Sequence, residues 1–356
     1  MTCASYLRKV GIGELNSLWF YSEGLEMAKI VLGIGTSHTP QLTMDPTLWE
    51  DHAKRDVKNP KLIGYDGEVH TYEDLVTAAK QRFAPDLNLD IYQEKHARAQ
   101  RGLDTLTEAL REAKPDVVIV IGDDQDEIFG PTGVPSLGIF TGEVVYDIPR
   151  APERLAALSE GMRQAGWTSH SEVLMGHKVH SQLAHHLVAS LTEDDFDLTQ
   201  VKKQAEGRTL GHAFNFVRYR LALDPAIPFV PVLLNTYMPP NVMSPGRCYR
   251  LGQSIRRAVE SFNEDLRVVV IGSGGLSHFV VLDEFDTSVL DALQKQDKDA
   301  IEGFPRRYFR SGTSEILNWI AAGGALEGLK MEIIDYVPGF RSPAGTGTGM
   351  GFALWN

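Results

Sequence analysis

The chain has 356 residues, 43% hydrophobic and 23% charged, a composition typical of folded globular proteins that excludes a disordered or fibrous chain. With 35 basic and 47 acidic residues the net charge is −12, and the sequence has no dense lysine and arginine run. An acidic chain repels the phosphate backbone, so we expect no binding to nucleic acid. The two distant cysteines, Cys3 and Cys248, exclude a disulfide framework, and no apolar run reaches the ~20 residues of a membrane span, so we expect a cytoplasmic protein that does not bind membranes.

The segment before Met27 differs from the rest of the chain. Its apolar stretch is interrupted by Glu14, Asn16 and Glu23, so it lacks the continuous apolar region of a signal peptide. Met27 is followed by AKIVLGIG and resembles a natural start. We therefore interpret residues 1–26 as an N-terminal extension, whose presence in the native protein is an open question, and leave it out of the fold prediction.

Short apolar runs alternate with amphipathic stretches after Met27, and this alternation predicts an α/β fold. The run VVIVI at 117–121 is continuous, as in parallel strands that are buried on both faces. We expect a mixed or mostly parallel central sheet flanked by helices. In chain order the predicted elements are a strand at 30–34, a helix at 97–113, a strand at 117–121, helices at 153–165 and 182–190, a strand at 229–234, a helix at 247–262, a strand at 268–271, a helix at 314–322 that ends at Gly323-Gly324, and strands at 331–336 and 351–355.

The sequence contains no internal repeat or linker that would separate two domains. Residues 45–95 are polar, weakly periodic and rich in turns. We interpret them as an insertion or cap over the sheet of one catalytic domain, residues 27–356.

Three predicted strands are followed at once by polar or flexible residues, and ligands of open α/β sheets bind beyond the carboxyl ends of the strands. His38 follows the strand at 30–34, an acidic cluster (GDDQDE) follows 117–121, and the glycine-rich GSGGLSH with His278 follows 268–271. Each feature alone is typical of a hydrogen-bonded or solvated loop. Together at one sheet edge they predict a metal or acid–base site.

Motifs of several other function classes are absent. GSGG has the wrong spacing for a GxGxxG dinucleotide motif, and the sequence contains neither GxxxxGK[ST] nor GxSxG. Dinucleotide binding, P-loop chemistry and serine hydrolysis are therefore weakly supported.

Six segments resemble, in order, the class III extradiol ring-cleavage dioxygenases of the protocatechuate 4,5-dioxygenase β-subunit type, to which the gallate and 3-O-methylgallate enzymes are close. They are GIGTSHTPQL, PDVVIVIGDDQDEIF, GHKVHSQLAHHLVASLTEDDFDLT, PVLLNTYMPP with PGRCYRLGQSIRRAVES, VVVIGSGGLSHF and SEILNWIAAGGAL. The resemblance covers most of residues 27–356, and the methylgallate branch is the nearer relative. Residues 45–110 are longer than the protocatechuate pattern, which places the inserted cap around 45–110.

The resemblance implies a mononuclear Fe(II) site of two histidines and one carboxylate, with open positions for a catechol and O2. His38 matches the first histidine ligand. Glu315 matches the carboxylate ligand, since it lies four residues before Trp319. Without the resemblance, Glu315 would be interpreted as a first-turn glutamate that the helix dipole favours.

The second histidine ligand of the family is missing. Gln125 stands where the family has a histidine after Asn/Asp-Asp, and we expect its amide oxygen to bind the metal. Asp124 is the alternative ligand, and Asp126, Glu127 and the distant His177 or His180 stay open. A more oxygen-rich site suits manganese or magnesium better, so manganese is possible in place of iron.

Further roles follow from the same resemblance. His278 matches the active-site base, which takes a proton from the catechol. His212 matches a histidine beside the bound substrate and O2. Thr346 and Thr348 lie in the glycine-rich loop where the family contacts the ring substituent, and His177 is interpreted as structural.

The sequence therefore predicts Fe(II)-dependent extradiol cleavage by O2 of a small aromatic substrate like methylgallate, gallate or protocatechuate. Relatives suggest a homo-oligomer. Two alternatives stay open. Gln125 motivates a metal-dependent hydrolase or lyase on the same scaffold, and a binding protein with a decayed site is the second alternative.

Overall fold

The computed structural model describes residues 27–130 and 133–356, so the predicted N-terminal extension, residues 1–26, lies outside the described residues. The strands are β1 (Lys29–Thr36), β2 (Leu62–Ile63), β3 (Val69–His70), β4 (Val117–Asp123), β5 (Leu137–Phe140), β6 (Val144–Asp147), β7 (Met175–Lys178), β8 (Thr199–Val201), β9 (Phe229–Leu234), β10 (Arg267–Ser273), β11 (Met331–Phe340) and β12 (Gly347–Trp355). The helices are α1 (Trp49–Ala53), α2 (Tyr72–Ala79), α3 (Leu89–Ala113), α4 (Pro152–Ala156), α5 (Glu160–Ala165), α6 (Ser181–Glu193), α7 (His212–Tyr219), α8 (Pro245–Glu260), α9 (Asp283–Lys295), α10 (Lys298–Gly303) and α11 (Ile316–Ala325).

An eight-stranded sheet forms the centre, in the order β11-β12-β1-β10-β4-β9-β5-β8. Strands β1, β10, β4 and β9 are parallel neighbours. The flanking strands β12 and β5 run antiparallel to β1 and β9, and β8 is parallel to β5. The prediction of an α/β fold with a mostly parallel central sheet is confirmed. The four parallel strands end at one edge, and this edge positions the site.

Helices cover both faces of the sheet. Buried apolar side chains of α6, α8 and α11 form the core on one face, and those of α3 and α7 form the core on the other. Every residue of β4 is buried between these layers, which explains its continuous apolar run. Among the helices of the described residues, none is both long enough and apolar enough to cross a membrane.

Helix α11 passes through Gly323-Gly324, so the prediction that it ends there was wrong. Gly324 in α11 and Gly252 in α8 allow these two helices to approach closely. A Cβ atom at Gly252 would lie 2.0 Å from the carbonyl oxygen of Ala321, and one at Gly324 would lie 2.0 Å from that of Tyr249. Gly324 therefore serves helix packing rather than helix termination.

The predicted insertion, 45–110, falls in two structurally different parts. Residues 45–88 contain the short helices α1 and α2 and the β2–β3 ribbon. Helix α3 instead buries Leu103, Leu106 and Leu110 in the core of one sheet face, so this part of the segment belongs to a layer of the fold. The predicted helix 153–165 is interrupted between α4 and α5.

Candidate metal centre

The candidate site lies where the four parallel strands end. His38 follows β1, Asp123 is the last residue of β4, Tyr237 follows β9 and His278 follows β10. Glu315 immediately precedes α11. The carboxyl ends of parallel strands meet at one edge of the sheet, so side chains that follow four strands from separate parts of the chain lie together there.

Four side chains at this edge form a group of metal-ligand type. Donor atoms of His38, Asp123, His212 and Glu315 all lie within 4.8 Å of one another. Nε2 of His38 lies 3.1 Å from Oε2 of Glu315 and 3.8 Å from Oδ1 of Asp123. Nε2 of His212 lies 4.0 Å from Oδ2 of Asp123. Two imidazoles and two carboxylates are a donor set that first-row divalent cations bind.

His38 is held so that its Nε2 atom faces this group. The Ser273 hydroxyl donates to the Ala213 carbonyl oxygen at 2.7 Å, so it accepts from Nδ1 of His38, 3.1 Å away. Nε2 is then left with a free lone pair. This atom is buried and has no hydrogen-bond partner among the described residues. A buried nitrogen acceptor without a partner is costly, and a cation at the centre of the group satisfies it.

Glu127 orients His212 in the same way. Its Oε1 atom accepts the backbone N–H of His212 at 3.0 Å and Nδ1 of the ring at 2.7 Å. Since His212 begins α7, the carboxylate also satisfies the helix N-terminus. Burial favours the neutral ring, but the Glu127 charge outweighs it and raises the pKa of His212 to about 10. Nε2 is thereby directed towards Asp123.

Glu315 connects the donor group to the neighbouring side chains. Its Oε2 atom accepts the N–H of Gly275 at 2.8 Å, and its Oε1 atom lies 3.2 Å from Nε2 of His278. Burial raises the pKa of a carboxyl, but the facing imidazoles outweigh it and hold the pKa of Glu315 well below its usual range. Burial and the Glu315 charge raise the pKa of Asp123. Negative charge concentrated in a buried group favours a cation.

Gln125, the predicted amide ligand, lies beside the donor group but presents its nitrogen to it. Nε2 donates to Oδ2 of Asp123 at 2.8 Å and to Oε1 of Glu315 at 3.1 Å. The reversed amide would direct its oxygen at two carboxylates, so this orientation is set by charge. Asp124 is turned away, since its carboxylate accepts the backbone N–H groups of Ile128 and the next residue at 2.8 and 3.4 Å.

The two distant histidines considered as ligands lie elsewhere. Nε2 of His177, in strand β7, lies 3.4 Å from the Tyr219 hydroxyl. Nδ1 of His180 accepts the N–H of Leu183 at 3.2 Å and caps α6. Neither belongs to the donor group.

His278 and Tyr237 lie next to the donor group and within hydrogen-bond distance of each other. Nδ1 of His278 lies 2.8 Å from the Leu276 carbonyl oxygen, to which it donates. Nε2 lies 3.1 Å from the Tyr237 hydroxyl and 3.2 Å from Glu315. Burial opposes protonation, but the Glu315 charge outweighs it and raises the pKa of His278. A histidine in this position can accept a proton and return it.

Three of the four donor residues, His38, His212 and Glu315, line a cavity of about 330 Å³, together with Gln125, Tyr237 and His278. Thr348 lines it, with its hydroxyl 3.0 Å from that of Thr39. Thr346, which was predicted to contact the ring substituent, is buried behind the wall and donates to Asp56 at 2.6 Å. Asp56 holds Arg341 in a bidentate ion pair at 2.8 and 2.9 Å, and Arg341 lines the cavity.

The sequence reasoning missed Asp123, Tyr237 and His52, and it considered Glu127 only as an alternative metal ligand, not as the partner of His212. Tyr237 follows β9, so the strand-end rule applied to that strand as well would have identified it. His52 is buried, lines the cavity from α1, and has a pKa that burial lowers to about 2. No sequence signal distinguishes Asp123 from Asp124, since only the direction of the side chain separates them.

Comparisons with known proteins identify the family to which this chain is similar. Residues 89–351 match the family described as the catalytic LigB subunit of aromatic ring-opening dioxygenase. A gallate dioxygenase of Pseudomonas putida is 31% identical over 160 residues, which cover 41% of this chain and 46% of that protein, so the match spans about half of its length. A crystal structure of an uncharacterised Escherichia coli K12 protein is 13% identical, with a TM-score of 0.42 over 70% of this chain and 91% of the other.

Proposed function

Because this chain belongs to the family of catalytic LigB subunits of aromatic ring-opening dioxygenases, as its motifs indicated, we propose that it cleaves a catechol-type ring with O2 at an extradiol position in an Fe(II)-dependent reaction. The observation that carries the proposal is the donor group of two histidines and two carboxylates, three of whose members, His38, His212 and Glu315, line a cavity together with His278 and Tyr237. Small aromatic diols of the gallate, 3-O-methylgallate or protocatechuate type are the proposed substrates.

His38, His212 and Glu315 are the proposed metal ligands, with Asp123 as a fourth donor. The buried Nε2 atom of His38 that lacks a hydrogen-bond partner supports this set. In this proposal His212 takes the place of the histidine that Gln125 replaces. When bound, Fe(II) binds both the diol and O2 and mediates electron transfer between them, and manganese is the alternative metal.

The chain's own residues position the substrate and move its proton. His278 accepts a proton from a ring hydroxyl at its Nε2 atom, and the Tyr237 hydroxyl, 3.1 Å from this atom, orients the exchange. Gln125 fixes the two carboxylates by donating to both. Glu127 accepts the Nδ1–H of His212, which leaves Nε2 as the ring atom that faces the metal, and metal binding would displace the proton that the raised pKa keeps on this atom.

The remaining expectations stay proposals. We infer one catalytic domain over residues 27–356, with residues 45–88 of the insertion standing over the site. A cytoplasmic location accords with the presence of two cysteines in the whole chain. Assembly as a homo-oligomer follows the family resemblance.

Oxygen uptake by protein reconstituted with Fe(II) under argon tests the function. The panel contains gallate, 3-O-methylgallate, protocatechuate, homoprotocatechuate and an aminophenol, and metal content is measured on the same sample. Uptake with one diol and the appearance of a ring-opened chromophore support the proposal. Full metal content without uptake of O2 would contradict it and favour the hydrolase or lyase alternative.

Two variants separate the roles of the residues. His38→Ala should lose the metal, and His278→Ala should keep the metal and lose turnover. His185→Ala, in α6, is the matched control, because this histidine contacts Gln200 and does not line the cavity. Full metal content in His38→Ala would show that the ligand assignment is wrong.

A further inference from the structure

The segment that carries His278 is held by a buried carboxylate outside the cavity. Oδ1 of Asp286, in the first turn of α9, accepts the backbone N–H of Ser277 at 2.7 Å. Its Oδ2 atom accepts the hydroxyl groups of Ser277 and Tyr336, each at 2.7 Å. Both oxygens of one carboxylate therefore bind the residue directly before His278.

Ser277 is also held by its other neighbours. Its hydroxyl oxygen accepts the N–H of Leu282 at 2.6 Å, and its carbonyl oxygen accepts the N–H of Gly349 at 2.9 Å. Every polar group of Ser277 is thus hydrogen-bonded, and the residue is wholly buried. Moving Ser277 would leave several buried polar groups without partners, which is costly.

The position of Ser277 determines where the ring of His278 lies. Nδ1 of His278 donates to the Leu276 carbonyl oxygen at 2.8 Å, in a contact that spans Ser277. The backbone N–H of His278 donates to the Thr313 hydroxyl at 3.3 Å. Because the backbone before the ring is fixed, Nε2 is kept in the cavity, 3.1 Å from the Tyr237 hydroxyl.

Asp286 itself does not reach a substrate. It is wholly buried and does not line the cavity. Within the part of the chain that the structure describes, the three hydrogen bonds to its carboxylate come from neutral groups, and burial raises the pKa of Asp286 to about 7. A buried carboxylate that only neutral donors compensate lowers the stability of the fold. Such a costly group is typical of a residue that serves a functional site.

We propose, on the basis of the ring-opening function above, that Asp286 is a positioning residue for the proton transfer: through Ser277 it holds Nε2 of His278 where it meets a ring hydroxyl of the substrate. Tyr336 completes the arrangement, because it fixes the carboxylate from β11. Displacement of a reacting group by about 1 Å can lower the rate about 100-fold. Loss of Asp286 should therefore slow turnover without weakening the binding of the diol.

Asp286→Asn tests this role at nearly constant size. The amide keeps one acceptor oxygen and replaces the other with an NH2 group that only donates, so it cannot accept all three hydrogen bonds. On Fe(II)-loaded protein with gallate, kcat should fall about 10- to 100-fold while KM changes less than about threefold. Asp291→Asn, exposed on the same helix and paired with Lys295, is the matched control and should change neither.

Ser277→Ala and the double variant separate positioning from general damage to the fold. If Asp286 acts through Ser277, the double variant should lose about as much kcat as the more affected single variant, since both changes break one connection. Losses in kcat that multiply would overturn the role of Ser277. A fall in kcat that only follows the fraction of unfolded protein in a thermal scan would overturn the positioning role.

A second readout does not depend on turnover. In protein with ¹⁵N-labelled histidine and diamagnetic Zn(II), the buried Nδ1–H of His278 should exchange slowly with solvent, and His278→Gln identifies its resonance. Asp286→Asn should speed this exchange about tenfold or more, and Asp291→Asn should not. Unchanged exchange or unchanged kcat in Asp286→Asn would each overturn the proposal. Faster exchange in a protein that takes up no O2 with any diol would keep the positioning of His278 and refute the ring-opening function instead.

Discussion

Replacing Glu127 with Gln tests whether His212 is a metal ligand oriented from outside the donor group. In the structure one oxygen of Glu127 accepts both the backbone N–H and the Nδ1–H of His212, at 3.0 and 2.7 Å. The amide oxygen of glutamine still accepts these hydrogen bonds but lacks the charge, and hydrogen bonds to charged groups are roughly twice as strong as neutral ones. We expect a loss of about 1–2 kcal/mol of orientation energy, which corresponds to metal binding about 10-fold weaker.

The assay is a competition titration of Fe(II) or Mn(II) against a chromophoric chelator under argon. Glu206→Gln is the matched control, because this glutamate lines a groove of about 780 Å³ outside the cavity and makes no hydrogen bond to His212. A thermal unfolding scan verifies that both variants are folded. If Glu127→Gln binds the metal as tightly as the unaltered protein, and His212→Ala does so as well, then His212 is not a ligand and the reasoning is refuted.

Three further predictions concern separate parts of the molecule. Gln125→Ala should weaken metal binding, because it removes the donor shared by two carboxylates, and unchanged affinity in the same titration would contradict this. Gly252→Ala should lower the free energy of unfolding by about 3 kcal/mol, because the new methyl group meets the backbone of α11. Gly303→Ala is the control, because its methyl group meets nothing within 4 Å. Denaturant titrations measure the free energy of unfolding of both variants. Burial lowers the pKa of His177 to about 4. The neutral ring therefore stabilises the fold above pH ~6.5, and this contribution is lost as the pH falls towards 4. His177→Gln should flatten the dependence of the free energy of unfolding on pH between these values.

The central strands were predictable because they are buried on both faces. The runs at 117–121, 229–234 and 268–271 are continuous and apolar, and all three lie in strands of the parallel core. Strands β2 and β3 and strands β5 to β8 were missed. They are short, and β7 (MGHK) and β8 (TQV) carry at least as many polar as apolar residues, so local composition does not distinguish them from loops.

The residues of the site also divide into those that the sequence predicts and those that only the folded structure brings together. His38 and His278 follow predictable strands, so the rule for strand ends brings them together without further information. His212 begins a helix that packs on the sheet after a long loop, and only tertiary packing brings it next to Asp123. The sequence motif directed attention to Gln125 and Asp124 instead, since a continuous buried run does not reveal which of its polar neighbours faces the ligand.

The donor residues lie far apart along the chain, so metal binding at the proposed site depends on the folding of the whole domain. The donor group joins residues from 38 to 315, contributed by the loop after β1, by β4, by α7 and by the turn before α11. An unfolded chain holds these side chains apart, so it offers the cation no multidentate site, unlike a contiguous zinc motif. Binding therefore favours the folded state by mass action, by about 2.7 kcal/mol when the free metal concentration is 100 times Kd. At the proposed site, metal loss and global unfolding are thus linked equilibria, and removal of the metal should make the protein easier to unfold as well as stop the proposed reaction.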